Sequence, residues 1–311
     1  MLPLPSMTTL PFADSVKTGL LASGWYANRL GRDVFPGVLA LCYHGLRESA
    51  DEGSEMPFAD LHVIADTFDA QCRMIAETCH PIDLPTFHDA RANGRPLPER
   101  PVLITFDDGY RSVFELARPI LLRYKLPATV FVCSEPVRRQ RLFWFDAVTR
   151  ARGPAAVAEL RALPHEGWRE AADACDTPAS AVPRLAPMTE AQVRQLADEG
   201  FAIGVHTASH APLAGAPADV QRHELESCRS ALESWIGQRV DSVAYPFGTP
   251  QADYDAETVA IAGRLGFTTG FTTRGGFAAS TEPPLERSRF LVLAAVTAAE
   301  LAHRITYAWP R

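Results

Sequence analysis

The sequence predicts an α/β fold built on a mostly parallel sheet. Three observations carry this expectation. Short apolar runs alternate with amphipathic stretches, the runs are continuous rather than alternating in polarity, and several amphipathic stretches stop at glycine. Strands are expected at 38–43, 102–106, 128–133, 201–205, 240–245, 267–272 and 285–293. A strand inside a parallel sheet is buried on both faces, so its apolar residues run on without a polar face. Periodicity leaves open whether these strands close into a barrel or form an open doubly wound sheet.

The helices follow from local signals. One is expected over 68–78, with Cys72, Ile75 and Ala76 on its apolar face, and another over 111–124, with Val113, Leu116, Ala117, Ile120 and Leu121. Thr189 is the N-cap expected for a helix over 190–199 that ends at Gly200. Helices over 219–236 and 255–265 stop at Gly237 and Gly266. Two segments fall outside the alternation. Residues 1–36 form an N-terminal extension with a helical stretch at 16–29. Residues 137–188 separate the third strand from the next helix, far more than a βα connection needs, and such insertions commonly serve as lids or substrate-binding elaborations. Residues 37–311 then read as one domain that includes this insertion.

Composition narrows the function classes. A chain of 311 residues, 47% hydrophobic and 22% charged, buries a sizeable core and is neither disordered nor fibrous. The net charge of −7 comes without a basic stripe, and Arg138-Arg139-Gln140-Arg141 reads as a solvated loop, so no nucleic-acid partner is expected. No apolar run approaches the ~18 residues that span a bilayer, so no transmembrane segment is expected. The six cysteines include no Cys-x-x-Cys pair and read as small buried hydrophobes rather than a disulfide framework. The first residues lack a basic start, and Pro3, Pro5 and Pro11 interrupt any signal-like apolar run, so a cytoplasmic location is expected.

Four clusters carry possible chemistry, each directly after an apolar run: Tyr43-His44-Gly45, Thr105-Phe106-Asp107-Asp108-Gly109, His206-Thr207-Ala208-Ser209-His210 and Tyr245-Pro246-Phe247-Gly248. Each alone has a bland explanation. Asp-Gly is a frequent turn pair, two histidines four apart arise by chance, Pro and Gly end strands, and a lone histidine is usually structural. Together they line the edge where parallel α/β folds build their sites. One aspartate and two histidines supply the three N/O ligands of a catalytic zinc-type site with an open position. Such ligands also accept Co²⁺, Mn²⁺ or Ni²⁺.

The ordered motifs Thr-Phe-Asp-Asp-Gly, His-Thr-x-x-His and a variant Tyr-Pro-Phe-Gly lie 99 residues apart from Asp107 to His206 and 35 apart from His210 to Tyr245. In this the chain resembles the polysaccharide deacetylases, the NodB-homology or carbohydrate esterase family 4 group, over about 36–293. The resemblance implies a distorted (β/α)7 barrel. It also implies a metal-dependent hydrolase that removes an acyl group, N-acetyl foremost, from an amino sugar or glycoconjugate. It makes Asp108, His206 and His210 ligands of one divalent ion, zinc foremost, with Asp107 as general base and the Phe247 N–H as oxyanion donor. Tyr245 joins Phe247 on the substrate side, and Trp144 or Phe145 of the insertion is expected near the sugar, because aromatic faces pack well on sugar rings, or else these aromatics anchor the insertion on the barrel.

The sequence departs from the family pattern in two places. The arginine that orients the base in the usual third motif falls on Ala244. The late Leu-x-His has only Leu301-Ala302-His303 to match it, in a helical stretch after the last strand. His44 is therefore the candidate for a second active-site residue, as the acid that protonates the leaving amine or as support for it. Two further readings stand beside the deacetylase: a metal-dependent amidase acting on a non-sugar amide, and a non-catalytic carbohydrate-binding or assembly protein on a degenerate barrel.

Overall fold

The computed structural model describes residues 14–52, 56–92 and 94–308. Pro3, Pro5 and Pro11 lie outside the described residues. The central sheet has eight strands among the described residues, the two-residue His80–Pro81 beside residues 101–102 and seven that form its path: β1 (Leu39–Tyr43), β2 (Pro101–Phe106), β3 (Ala128–Val132), β4 (Ala202–Val205), β5 (Ser242–Ala244), β6 (Thr269–Phe271) and β7 (Phe290–Leu291). They pair in parallel in the order β7-β1-β2-β3-β4-β5-β6. The sheet curls until its two edges meet through one parallel bridge between Phe271 and Arg287. There the Thr272 N–H donates to the Arg287 carbonyl at 2.9 Å, and the Arg287 N–H donates to the Gly270 carbonyl at 2.7 Å. The result is the distorted (β/α)7 barrel of the NodB type, with a seam of a single bridge.

The seam depends on glycine. A Cβ on Gly270 would lie 2.3 Å from the Leu285 carbonyl oxygen, so only a residue without a side chain lets 285–287 approach β6 this closely. Backbone cannot move aside as a flexible side chain can, and closure here fixes the entry of β7.

Helices surround the sheet. The expected 16–29 helix is two, α1 (Asp14–Ala22) and α2 (Trp25–Leu30), because Gly24 adopts φ +73° and breaks the run. Next come α3 (Ala65–Thr78), α4 (Leu84–Ala92) and α5 (Arg118–Tyr124). Between β3 and β4 the chain forms α6 (Ser134–Arg139), α7 (Trp144–Arg152), α8 (Ala155–Arg161) and α9 (His165–Asp173). These bury Phe143, Trp144, Phe145, Leu160 and Trp168 in continuity with the barrel core. The helix α10 (Glu190–Asp198) begins at a capping box: the Gln192 N–H donates to Thr189 Oγ1 at 3.2 Å and the Thr189 N–H to Gln192 Oε1 at 2.9 Å. The series ends with α11 (Ala218–Ile236), α12 (Ala256–Arg264) and α13 (Ala298–His303). His303 of the late Leu-x-His packs against α2, its Nδ1 3.1 Å from the Tyr26 hydroxyl. All six cysteines are free. No described helix is long and apolar enough to cross a membrane.

Candidate active site

The strand ends turn sharply, and the turns bring the polar clusters together. Asp107 continues the ladder, its N–H donating to the Tyr43 carbonyl at 2.9 Å, while Asp108 swings out at φ +70° ahead of Gly109 at +94°. Thr207, His210 and Phe247 adopt φ of +66°, +59° and +58°. A non-glycine residue in this left-handed region costs about 1–3 kcal/mol and persists only where its surroundings hold it. Concentrated at the ends of β2, β4 and β5, such strain marks backbone held for a purpose other than stability.

Asp108, His206 and His210 are all buried, and each offers a ligand atom within 4.8 Å of the others. Asp108 Oδ1 lies 3.2 Å from His206 Nε2 and 3.3 Å from His210 Nε2. His206 Nδ1 stands 2.7 Å from the Ala244 carbonyl, which can only accept. Nδ1 therefore carries a proton, which leaves Nε2, facing Asp108, as the nitrogen that can ligate a cation once it is unprotonated. Among the described residues Asp108 Oδ1 has no hydrogen-bond donor. Lone pairs converging in a buried space repel one another unless a cation lies between them, so the set fits a divalent ion.

The electrostatics agree. Burial pushes the Asp108 carboxyl up, but the two facing imidazoles hold it well below the usual carboxylate range. Burial lowers the pKa of His210, and Asp108 does not reverse this, so its ring stays neutral. Burial would lower His206 too, but Asp107 and Asp108 raise it above its ordinary value, so a cation bound there displaces a proton.

Asp107 faces the triad and is held from behind. Arg289, fully buried, donates from Nη1 to Asp107 Oδ1 at 2.7 Å and from Nη2 to Oδ2 at 2.6 Å. The fork is itself fixed, because Nε donates to the Thr272 carbonyl at 3.0 Å and Nη1 to Thr105 Oγ1 at 3.0 Å. The Cys42 thiol adds a donor to Asp107 Oδ2 at 3.3 Å. Burial favours protonated Asp107, yet Arg289 and then His206 outweigh it and hold the carboxyl below its ordinary range.

Arg289 is the residue sequence reasoning missed. The arginine absent at Ala244 is supplied from just before β7, 182 residues from Asp107, while the Ala244 carbonyl orients His206. One signal was present: an arginine inside the run 285–293, read as a strand buried on both faces, needs a buried anion.

The other expected site residues lie as follows. His44, half-buried after β1, brings a ring nitrogen within 4.8 Å of both Cys42 Sγ and an Asp107 oxygen, and its Nδ1 has no partner among the described residues. Phe247 is half-buried, its ring edge-on to His210 at 4.7 Å between centroids. Its N–H donates to no acceptor among the described residues. Tyr245 is fully buried and stacks on Tyr254 at 4.2 Å, beneath the loop. Trp144, 8% exposed, donates its indole N–H to the His210 carbonyl at 2.9 Å and sets its ring against Trp168 and Phe247. Trp144 thus ties the insertion to the loop that carries His210.

A parallel barrel with an N/O triad and an arginine-held carboxylate at one edge has counterparts among known proteins. The family model "Polysaccharide deacetylase" matches residues 94–270, more than half of the chain, and the chain belongs to that family. It is 24% identical over 180 residues to the Bacillus subtilis protein YxkH, whose name places it in the same family, covering 58% of this chain and 47% of YxkH. It is 31% identical over 93 residues to the poly-β-1,6-N-acetyl-D-glucosamine N-deacetylase of Escherichia coli K12, covering 30% of this chain and 13% of that protein. The chain thus spans less than half the length of these relatives. The Streptococcus pyogenes deacetylase PplD, solved with acetate, superposes with a TM-score of 0.64 at 22% identity, over 88% of this chain and 99% of PplD, and shares the fold.

Proposed function

We propose that the chain is a metal-dependent hydrolase that removes an acyl group, N-acetyl foremost, from an amino sugar or glycoconjugate. One observation carries this reading: the buried Asp108, His206 and His210 converge beside a carboxylate, Asp107, that Arg289 holds ionised and fixed. A divalent ion held by the three, zinc foremost and otherwise Co²⁺, Mn²⁺ or Ni²⁺, would polarise the acyl carbonyl and acidify water.

The chain's own residues do the rest. Asp107 takes the proton of the attacking water as general base, and the Arg289 fork keeps that carboxylate from rotating away. The Phe247 N–H donates to the carbonyl oxygen as negative charge builds on it. His44 delivers a proton to the amine nitrogen as the C–N bond breaks, because an amide anion is a very poor leaving group. Free acetate and a free amine result. Tyr245 and Trp144 serve by holding the loops of Phe247 and His210, and residues 137–188 shape the mouth of a domain spanning 37–311. The named substrate of the Escherichia coli relative supports an amino sugar.

The test is acetate release from N-acetylglucosamine oligomers, with free amines appearing in equal number. Cleavage of simple amides without action on the sugars would favour the amidase reading instead. Binding of the oligomers without any hydrolysis would favour the non-catalytic one.

The acid has its own test. His44→Ala is expected to lower amide hydrolysis by roughly 10²–10⁴. Hydrolysis of an activated aryl ester, whose leaving group needs no proton, should fall far less. Equal loss on both substrates would make His44 structural.

A further inference from the structure

We infer that Arg161, at the end of α8 in the 137–188 insertion, is a positioning residue for the reaction, holding the Phe247 N–H where the oxyanion forms. The inference rests on the deacetylase reading above, and adds a residue to it from outside every motif.

The guanidinium carbon of Arg161 lies 3.9 Å over the centroid of the Phe247 ring. The ring is thus sandwiched, with Arg161 over its face and the edge contact to His210 at 4.7 Å. Arg161 also pairs with Asp253, whose side chain is 2% exposed. Asp253 in turn binds both neighbouring loops. Its Oδ2 accepts the Thr249 N–H at 2.9 Å, two residues after Phe247. Its carbonyl accepts the N–H groups of Leu213 at 3.1 Å and Ala214 at 3.0 Å, shortly after His210. Arg161, through the side chain and backbone of Asp253, therefore joins the insertion to the metal-ligand loop and the oxyanion loop.

Phe247 needs such a hold. It is a bulky residue at φ +58°, and its N–H is free of any acceptor among the described residues. The Thr273 hydroxyl fixes its carbonyl at 2.9 Å, and Gly248 follows at φ +73°. These bonds pin the C-terminal side of the peptide. The peptide that carries the N–H is tied on its other side where the Gly248 N–H donates to the Pro246 carbonyl at 2.6 Å, and Arg161 adds to that bond a restraint on the ring. A planar cation stacked on an aromatic face does this in a way an ammonium does not.

The experiment compares Arg161→Lys and Arg161→Ala with wild type for kcat, KM, metal content, melting temperature and affinity for a phosphonate analogue of the tetrahedral intermediate. Lysine keeps a cation for Asp253 and loses the stack. We expect Arg161→Lys to keep the metal and the melting temperature, to leave KM within about two-fold, and to lower kcat and analogue affinity together by about 10-fold. Arg161→Ala should lose more, up to roughly the 100-fold seen when an oxyanion donor is removed. Wild-type kcat in Arg161→Lys would overturn the proposal, as would loss of metal or melting temperature in proportion to activity. Asp107→Asn run alongside separates the two levels. Active wild type, inactive Asp107→Asn and fully active Arg161 variants would sink this inference alone, whereas a wild type that releases no acetate would sink the reading beneath it as well.

Discussion

Asp107→Asn is expected to lower kcat by roughly 10²–10⁴ while metal content and fold stay as in wild type. The amide keeps the volume and accepts one hydrogen bond from Arg289, but it cannot take a proton from water. Asp107 stands outside the triad that would hold the ion, its oxygens bound instead to Arg289 at 2.7 and 2.6 Å. Metal analysis of the variant beside its kinetics checks the assignment. A variant that loses its metal would mean that the roles of Asp107 and Asp108 are exchanged.

Arg289→Met should do as much damage by a different route. The substitution leaves Asp107 buried with its counter-charge gone, and breaking a buried pair from one side costs about 3–5 kcal/mol of stability. It also changes the base. With the guanidinium present, the Asp107 carboxyl lies below its ordinary range; without it, burial dominates and the pKa rises. The base works only when ionised, so activity is lost as pH falls through that pKa. The acid limb of kcat/KM should therefore move to higher pH in Arg289→Met, and denaturant midpoints at neutral pH should fall. Arg289→Lys should recover part of the stability and less of the activity, because an ammonium cannot hold both carboxylate oxygens in a planar fork. An unmoved acid limb in a folded Arg289→Met would show that Arg289 does not tune the base.

The barrel and the clustering of four candidate site residues were legible because their signals are local. Each strand is a continuous apolar run, and Asp107, Asp108, His206 and His210 sit immediately after two of those runs. The N-cap at Thr189 and the stops at Gly237 and Gly266 are equally local. What escaped the sequence depends on distance or on backbone. Arg289 meets Asp107 only because the barrel closes, through the approach that Gly270 permits. The Ala244 carbonyl orients His206, and a carbonyl has no residue type to read. Trp144, which the sequence offers either as a sugar platform or as an anchor for the insertion, places its indole N–H on a buried carbonyl at 2.9 Å, a long-range partner that no local pattern shows. The 16–29 helix read as one because glycine inside a helical pattern is tolerated often enough to be passed over. Gly24 breaks it by adopting φ +73°.

The central claim is that Asp108, His206 and His210 hold one catalytic divalent ion. Titrating the chelator-stripped protein with Zn²⁺ while measuring acetate release from an N-acetylglucosamine oligomer tests it most directly. Negligible release is expected from the stripped protein, with a linear rise to one equivalent, a plateau beyond it, and Asp108→Ala flat throughout. Full acetate release by the stripped protein would contradict it.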